Sequence, residues 1–218
     1  MNQIVYDKNL TKEQLFEFNI VVDDDACVEN GVVLGFGTCV LGKSVVECGC
    51  EIGCNSVVEN SKLGKNVKVI SSYVVNSLVR ENSTVGPFAN IKNGSQIGCG
   101  CRIGNFVEIK NSIIGEKTKI AHLTYVGDAE IGKNCNLGCG VVFCNYNGAI
   151  KQKTLVGDNV FVGSNVNLIA PVKIGNGAYI AAGSTINKDV DCEQFAIARS
   201  FQTNKENFKN PYKIKKIN

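Results

Sequence analysis

An aliphatic residue recurring every six positions constrains this 218-residue chain more than any other feature. From Val79 the series runs through Val85, Ile91, Ile97, Ile103 and Ile109, takes a five-residue step to Ile114, Ile120 and Val126, and another to Ile131, Leu137 and Phe143. It returns at Val156, Val162, Leu168, Ile174, Ile180 and Ile186. Backwards it passes Val74, Val69, Leu63, Val58, Ile52, Val46, Val40, Leu34 and Val28 to Val22. The fourth residue after each start is usually small or β-branched, as at Thr38, Ser44, Ala89, Val107 and Ala178. A helix repeats every 3.6 residues and a two-faced strand every two. Period six with small partners is the hexapeptide signature of a parallel β-helix, in which each hexad is a strand plus a turn and three hexads close one triangular coil. The 28 hexad starts predict an all-β solenoid of about nine coils.

The ends of a solenoid need covering, and the sequence divides accordingly into a cap at 1–19, a β-helix at 20–192 and a basic tail at 193–218. Thr11 and Gln14 fit a capping box, with Leu10 and Leu15 as a hydrophobic staple, so a short N-terminal helix is expected. After Val190 the repeat stops, and the tail, with Lys205, Lys209, Lys213, Lys215 and Lys216, is either solvated or a binding element. One segment, 144–155, breaks the period and reads as a loop ejected from the coil, a position where solenoids carry binding residues.

Composition narrows the class. The 23 Lys and Arg against 20 Asp and Glu leave a net charge of +3, too balanced for a nucleic-acid or polybasic membrane binder. No apolar run approaches the ~20 residues of a spanning helix, and MNQIVYDKNL lacks a signal-peptide core, so a cytoplasmic protein with reduced thiols is expected. Eleven cysteines accompany a single His. None of the Cys spacings pairs as C-x-x-C, so the cysteines are read as small buried residues and no metal site is expected. Cys50, Cys101 and Cys135 take the inward fourth-after position on one face, two or three coils apart and beyond disulfide reach.

Equivalent positions three hexads apart stack at ~4.8 Å. Lys92 and Lys110 each follow a hexad start and become neighbours in one row: either they splay into solvent, or an anion such as phosphate lies between them. The residues two after every third start are Asn105, His122, Cys139, Ser164 and Ala182, provided the ejected loop restores the register. The only His thus borders a column of small residues, open to a long flexible ligand. This much indicates a ligand-binding β-helix of acyltransferase character.

STVGPFANIKNG, IGNFVEIK, HLTYVGDAEIG, CNYNGAIKQKT, VGDNVFVGSN and LIAPVKIGNGAYIAAGSTI resemble the acetyltransferase domain of the bacterial bifunctional N-acetylglucosamine-1-phosphate uridyltransferase / glucosamine-1-phosphate acetyltransferase family. The resemblance runs ungapped from about Ser83 to Arg199 and more loosely back to about Asn19. It implies a left-handed coil, which general crossover preferences do not, and a homotrimer with active sites shared between subunits. It implies acetyl-CoA as co-substrate and His122 as the general base on the glucosamine amine. Lys92, Lys110, Tyr125, Asn136 and Lys151 match sugar-phosphate contacts of the family. Cys139, Asn145, Tyr146, Ser164, Ala182 and Arg199 match its acetyl-CoA contacts. An imidazole suits proton removal from an amine near neutral pH, and the backbone N–H of Cys139 is the candidate oxyanion donor.

Two departures qualify this. Lys92 stands where the family has Arg, losing a bidentate fork, and nothing before Thr11 resembles the family's Gly-rich nucleotide loop. The expectation is therefore an N-acetyltransferase acting on glucosamine-1-phosphate without uridyltransferase activity. The alternatives are an acetyltransferase for a different amino sugar or nucleotide sugar, or a non-catalytic β-helix scaffold for a nucleotidyltransferase partner. Carbonic-anhydrase-like β-helices use several His ligands, which one His does not supply.

Overall fold

The computed structural model describes residues 3–209. Every one of the 28 hexad starts falls inside a strand. Among the described residues the strands form three sheets of eleven, ten and nine members, each ordered by threes in sequence, the signature of a coil with three sides. Sheet 1 carries Leu34, Ile103, Ile120 and Leu137; sheet 2 carries Ile91, Ile109, Val126 and Phe143; sheet 3 carries Ile97, Ile114 and Ile131. Within the coil, pairing is parallel and in register: Ile91 stacks on Ile109 and Ile109 on Val126. The result is a left-handed parallel β-helix of about ten turns. Its interior is a continuous stack of buried apolar side chains, mostly aliphatic, with the aromatic Phe143 among the largest.

The corners explain the small fourth-after residues. These side chains are buried, and where they carry a hydroxyl it donates to a carbonyl of the next coil: Thr118 Oγ1 to Gly132 O at 2.8 Å, Ser83 Oγ to Gly98 O at 2.8 Å. Cys50, Cys101 and Cys135 substitute a thiol for that hydroxyl, each reaching the equivalent carbonyl (Gly64, Gly115, Gly157) at 3.1 Å. Burial pushes the Cys50 and Cys101 thiols up to about 11 and raises Cys135 as well. The general expectation of buried cysteines fails beyond these three: the other eight are intermediate or exposed, Cys27, Cys39 and Cys144 because they take strand positions beside the inward aliphatic and the rest because they lie in turns. Asn fills many of those turns in the left-handed region, as at Asn55, Asn82 and Asn165, at low cost for a short side chain that bonds locally.

At the N-terminal end the helix spans Lys12–Phe16, with Thr11 and Gln14 closing a reciprocal capping box. Leu15 is buried and Leu10 packs against the same core. The periodicity carries no sign of the strand Gln3–Val5, which covers the first sheet by pairing antiparallel with Val33–Gly35. At the other end the coil continues past the expected stop: Val190 bridges Ile174, and Phe195–Ala196 pairs with Tyr179–Ile180. These strands pair on one side only, so the inward aliphatic that marks inner rungs is relaxed to Ala196. Of the tail lysines, Lys213, Lys215 and Lys216 lie outside the described residues. The ejected loop runs between strands Val142–Cys144 and Thr154–Val156 and folds on itself through a Tyr146–Lys151 bridge. Among the described residues no helix is long and apolar enough to cross a membrane, and no three His, Cys, Asp or Glu side chains converge.

Candidate active site

Lys92 and Lys110 are register partners on sheet 2, in strands Asn90–Lys92 and Glu108–Lys110. The anion beside Lys92 belongs to the protein: its Nζ lies 3.0 Å from Glu108 Oε1. Lys110 has no ion pair among the described residues, and its next register partner is Gly127, whose missing side chain leaves room for the Tyr125 hydroxyl and the Asn145 amide. Glu108 escaped the sequence reading although the register held the signal, since it shares a row with Asn90 and Tyr125.

The turns between sheets 1 and 2 carry the small-residue column. Gly140 N donates to His122 O at 2.9 Å, Asn165 N to Cys139 O at 2.7 Å and Gly183 N to Ser164 O at 2.8 Å. The register therefore survives the ejected loop, and the column climbs one residue per coil from Asn105 to Ala182. At each of these five residues the main-chain N–H donates to no group among the described residues. They form a row of free donors at strand spacing, ~4.8 Å apart. His122 stands low in this row, exposed, with its imidazole unbonded within the described chain. His122 and Leu123, at φ 65° and 55°, are the only consecutive non-glycine pair in the left-handed region among the described residues. That conformation costs an L-residue about 1–2 kcal/mol and persists where the surroundings over-determine it, a pattern concentrated at functional positions.

Tyr125 opens the next strand, and its hydroxyl lies 3.5 Å from Asn145 Nδ2. Asn145, at the base of the ejected loop, is 8 % exposed and gives the same Nδ2 to Asp128 Oδ2 at 2.5 Å. The other carboxylate oxygen, Asp128 Oδ1, takes Asn111 Nδ2 at 2.5 Å. A Cβ on Gly127 would lie 2.6 Å from Asn145 Nδ2, so glycine is required where Tyr125 and Asn145 meet. Tyr146 and Lys151 are exposed in the loop. Arg199 folds over the head of the column, its Cδ 3.8 Å from where a Gly183 Cβ would stand. Asn136 lies elsewhere, on the outer face of sheet 1 between Lys119 and Phe161. One chain thus gathers Lys110, Tyr125 and Asn145 on one side of a corner, places His122, Cys139 and Ser164 along the corner, and leaves Asn136 on the far side.

A β-helix of hexapeptide repeats with one His beside a column of free amides is the class of protein that fold and site define. Residues 153–188 match the family described as bacterial transferase hexapeptide (six repeats), and residues 73–146 match the GMPPB C-terminal domain. The chain is 50% identical over 185 residues to the bifunctional protein GlmU of Clostridium botulinum (strain Kyoto / Type A2), covering 85% of this chain and 40% of that protein. It is 46% identical to that of Acetivibrio thermocellus, covering 94% of this chain and 46% of that one. The chain therefore spans less than half the length of these relatives. Among solved structures, a UDP-N-acetylglucosamine acyltransferase of Francisella novicida superposes with a TM-score of 0.60 at 19% identity, covering 82% of this chain and 65% of that one. The corresponding Arabidopsis enzyme gives 0.54 at 18% identity, covering 79% and 67%; both likenesses concern the fold. Over most of its length the chain is thus similar to part of GlmU, and it carries the hexapeptide repeats of the bacterial transferase family.

Proposed function

We propose that this chain transfers an acetyl group from acetyl-CoA to the amine of glucosamine-1-phosphate. The observation that carries the reading is the corner row of unpaired N–H groups with His122 near its foot. A pantetheine arm is long, thin and amide-bearing, and a row of small residues with free donors at regular spacing complements it along Cys139, Ser164 and Ala182. Arg199 at the head of the row suits the anionic end of the coenzyme. His122 removes the proton from the amine as its nitrogen adds to the thioester carbonyl, and the Cys139 N–H, one coil above, receives the developing oxyanion. Collapse of that oxyanion breaks the C–S bond and releases CoA, whose thiolate takes the proton back from His122. The thiol of Cys139 takes no part. Lys110, without an ion pair and one rung from the Tyr125 hydroxyl that covers Gly127, holds the phosphate, with Tyr125 and Lys92 beside it and Lys151 of the loop closing over it. Asn145 and Tyr146 position the loop against the coenzyme side.

The corner is convex within one chain, with Ser164 and Ala182 exposed, and a ridge excludes water only when a second wall faces it. A cytoplasmic homotrimer with sites shared between neighbouring copies supplies that wall and brings an Asn136 face to the other side. The reading assigns acetyl transfer and no uridylyl transfer to this polypeptide.

The Lys92–Glu108 pair favours one second reading, an amino-sugar acceptor lacking the phosphate. A panel of amines and amino-sugar phosphates assayed for CoA release separates the two, and a UTP-dependent arm with N-acetylglucosamine-1-phosphate should stay blank. His122→Ala should lower turnover by about 10²–10⁴. Turnover unchanged by that substitution removes His122 from the chemistry.

A further inference from the structure

Asn111, Asp128 and Asn145 each follow a sheet-2 hexad start by two, after Ile109, Val126 and Phe143, so they stack in one column beside Tyr125. Asp128 is the acidic member of a run of asparagines. An amide can donate on one side and accept on the other, whereas a carboxylate only accepts. Both neighbours must therefore turn their Nδ2 groups towards Asp128, as they do, at 2.5 Å each. With its Nδ2 fixed there, Asn145 can offer Tyr125 only a donor, at 3.5 Å. The Tyr125 oxygen then accepts from Asn145, which leaves its own proton for a different acceptor. The main chain reinforces the junction: Asp128 N donates to Lys110 O at 3.1 Å, Thr154 N to Asp128 O at 3.3 Å, and Gln152 N to Asn145 O at 2.7 Å. Asp128 is thus tied at once to the Lys110 strand, to the loop's exit and, through Asn145, to its entry.

We infer that Asp128 is a positioning residue that sets the polarity of the Asn145–Tyr125 contact, so that the Tyr125 hydroxyl is presented as a donor to a phosphate or hydroxyl oxygen of the acceptor sugar. The inference deepens the proposed acetyl transfer and rests on it for the identity of the acceptor; the polarity itself rests on the carboxylate and its two amides.

Asp128→Asn keeps the shape and lets the Asn145 amide turn over, so that Tyr125 donates inward. The first readout needs no activity. In protein labelled with ¹⁵N-asparagine, with the Asn145 side-chain signal assigned by its loss in Asn145→Asp, the Asn145 NH₂ should resist exchange with water in the wild type and lose that protection in Asp128→Asn. The second is kinetic: Asp128→Asn and Tyr125→Phe should each raise the KM for glucosamine-1-phosphate about three- to tenfold, the worth of one hydrogen bond. The KM for acetyl-CoA should be unchanged, and the double variant should be no worse than either single one. An Asn145 amide equally protected in both proteins overturns the inference, as does a KM penalty that multiplies in the double variant. If glucosamine-1-phosphate is not acetylated at all, the acceptor reading falls and the exchange measurement alone decides the polarity. Should Asp128→Asn fail to fold, Asp128→Glu, which keeps an acceptor-only group, is compared with Asp128→Gln in the same exchange measurement, and protection in the first but not the second is the expected result.

Discussion

At the scale of single residues, the structure turns on which charges already have partners. Lys92 is paired with Glu108 and Lys110 is not, so the two stacked lysines are not equivalent. Arg at position 92 presents a planar fork that can hold Glu108 and a phosphate oxygen together, where an ammonium shares one charge between them. Lys92→Arg should therefore keep or lower the KM for glucosamine-1-phosphate. Lys110→Ala should raise it more than Lys92→Ala does, while leaving the KM for acetyl-CoA nearly unchanged, because the coenzyme column stands on the corner and not in this row. Steady-state kinetics on the phosphorylated and unphosphorylated sugars check this. Equal losses on both sugars for Lys110→Ala would show that the row holds no phosphate. The lysine row was legible from spacing alone, since period six with a known five-residue step fixes which residues stack. Asp128 was missed for a different reason: register names the neighbours of a side chain but not the direction in which each hydrogen bond runs.

At the scale of strands and turns, the inner rungs were readable because each has a neighbour above and below and so repeats the same chemistry. The end rungs were not. Gln3–Val5 enters antiparallel, and Phe195–Ala196 pairs on one side only, so neither is held to the periodic pattern. The corners behave as elements too, and their thiols give them a pH signature. Cys50 and Cys101 are pushed up to about 11 from an ordinary 9.0, chiefly by burial. Their folded values stand above their unfolded ones, so in this window the folded chain binds more protons than the unfolded one. The stability they contribute is fully present below about pH 9 and is lost as the pH rises towards about 11. Urea midpoints taken at about pH 8 and about pH 10.5 should fall accordingly. The fall should be smaller in a Cys50→Ser, Cys101→Ser double variant, whose hydroxyls keep the bonds to Gly64 and Gly115 without ionising. The same fall in both proteins would place the titrating groups elsewhere.

At the scale of the whole molecule, a solenoid has no cleft of its own, and its site residues lie on two faces that meet at a corner. Lys110 and Tyr125 look out from sheet 2, while Asn136 looks out from sheet 1. No turn of a side chain brings Asn136 across the corner to the Lys110 row, because the strands that hold them belong to different sides of the prism. If all three serve one reaction, Asn136 must act from one copy and Lys110 with Tyr125 from its neighbour. That arrangement has an arithmetic consequence in a closed cyclic trimer. Lys110→Ala and Asn136→Ala should each be severely impaired alone. Unfolded together in equal amounts and refolded, they should recover about one quarter of wild-type turnover, since each site draws one face from each of two randomly assorted copies. Mixing the folded variants without subunit exchange should recover nothing. A site contained within one chain predicts no recovery in either case, because every chain in the mixture then carries one lesion in its own site.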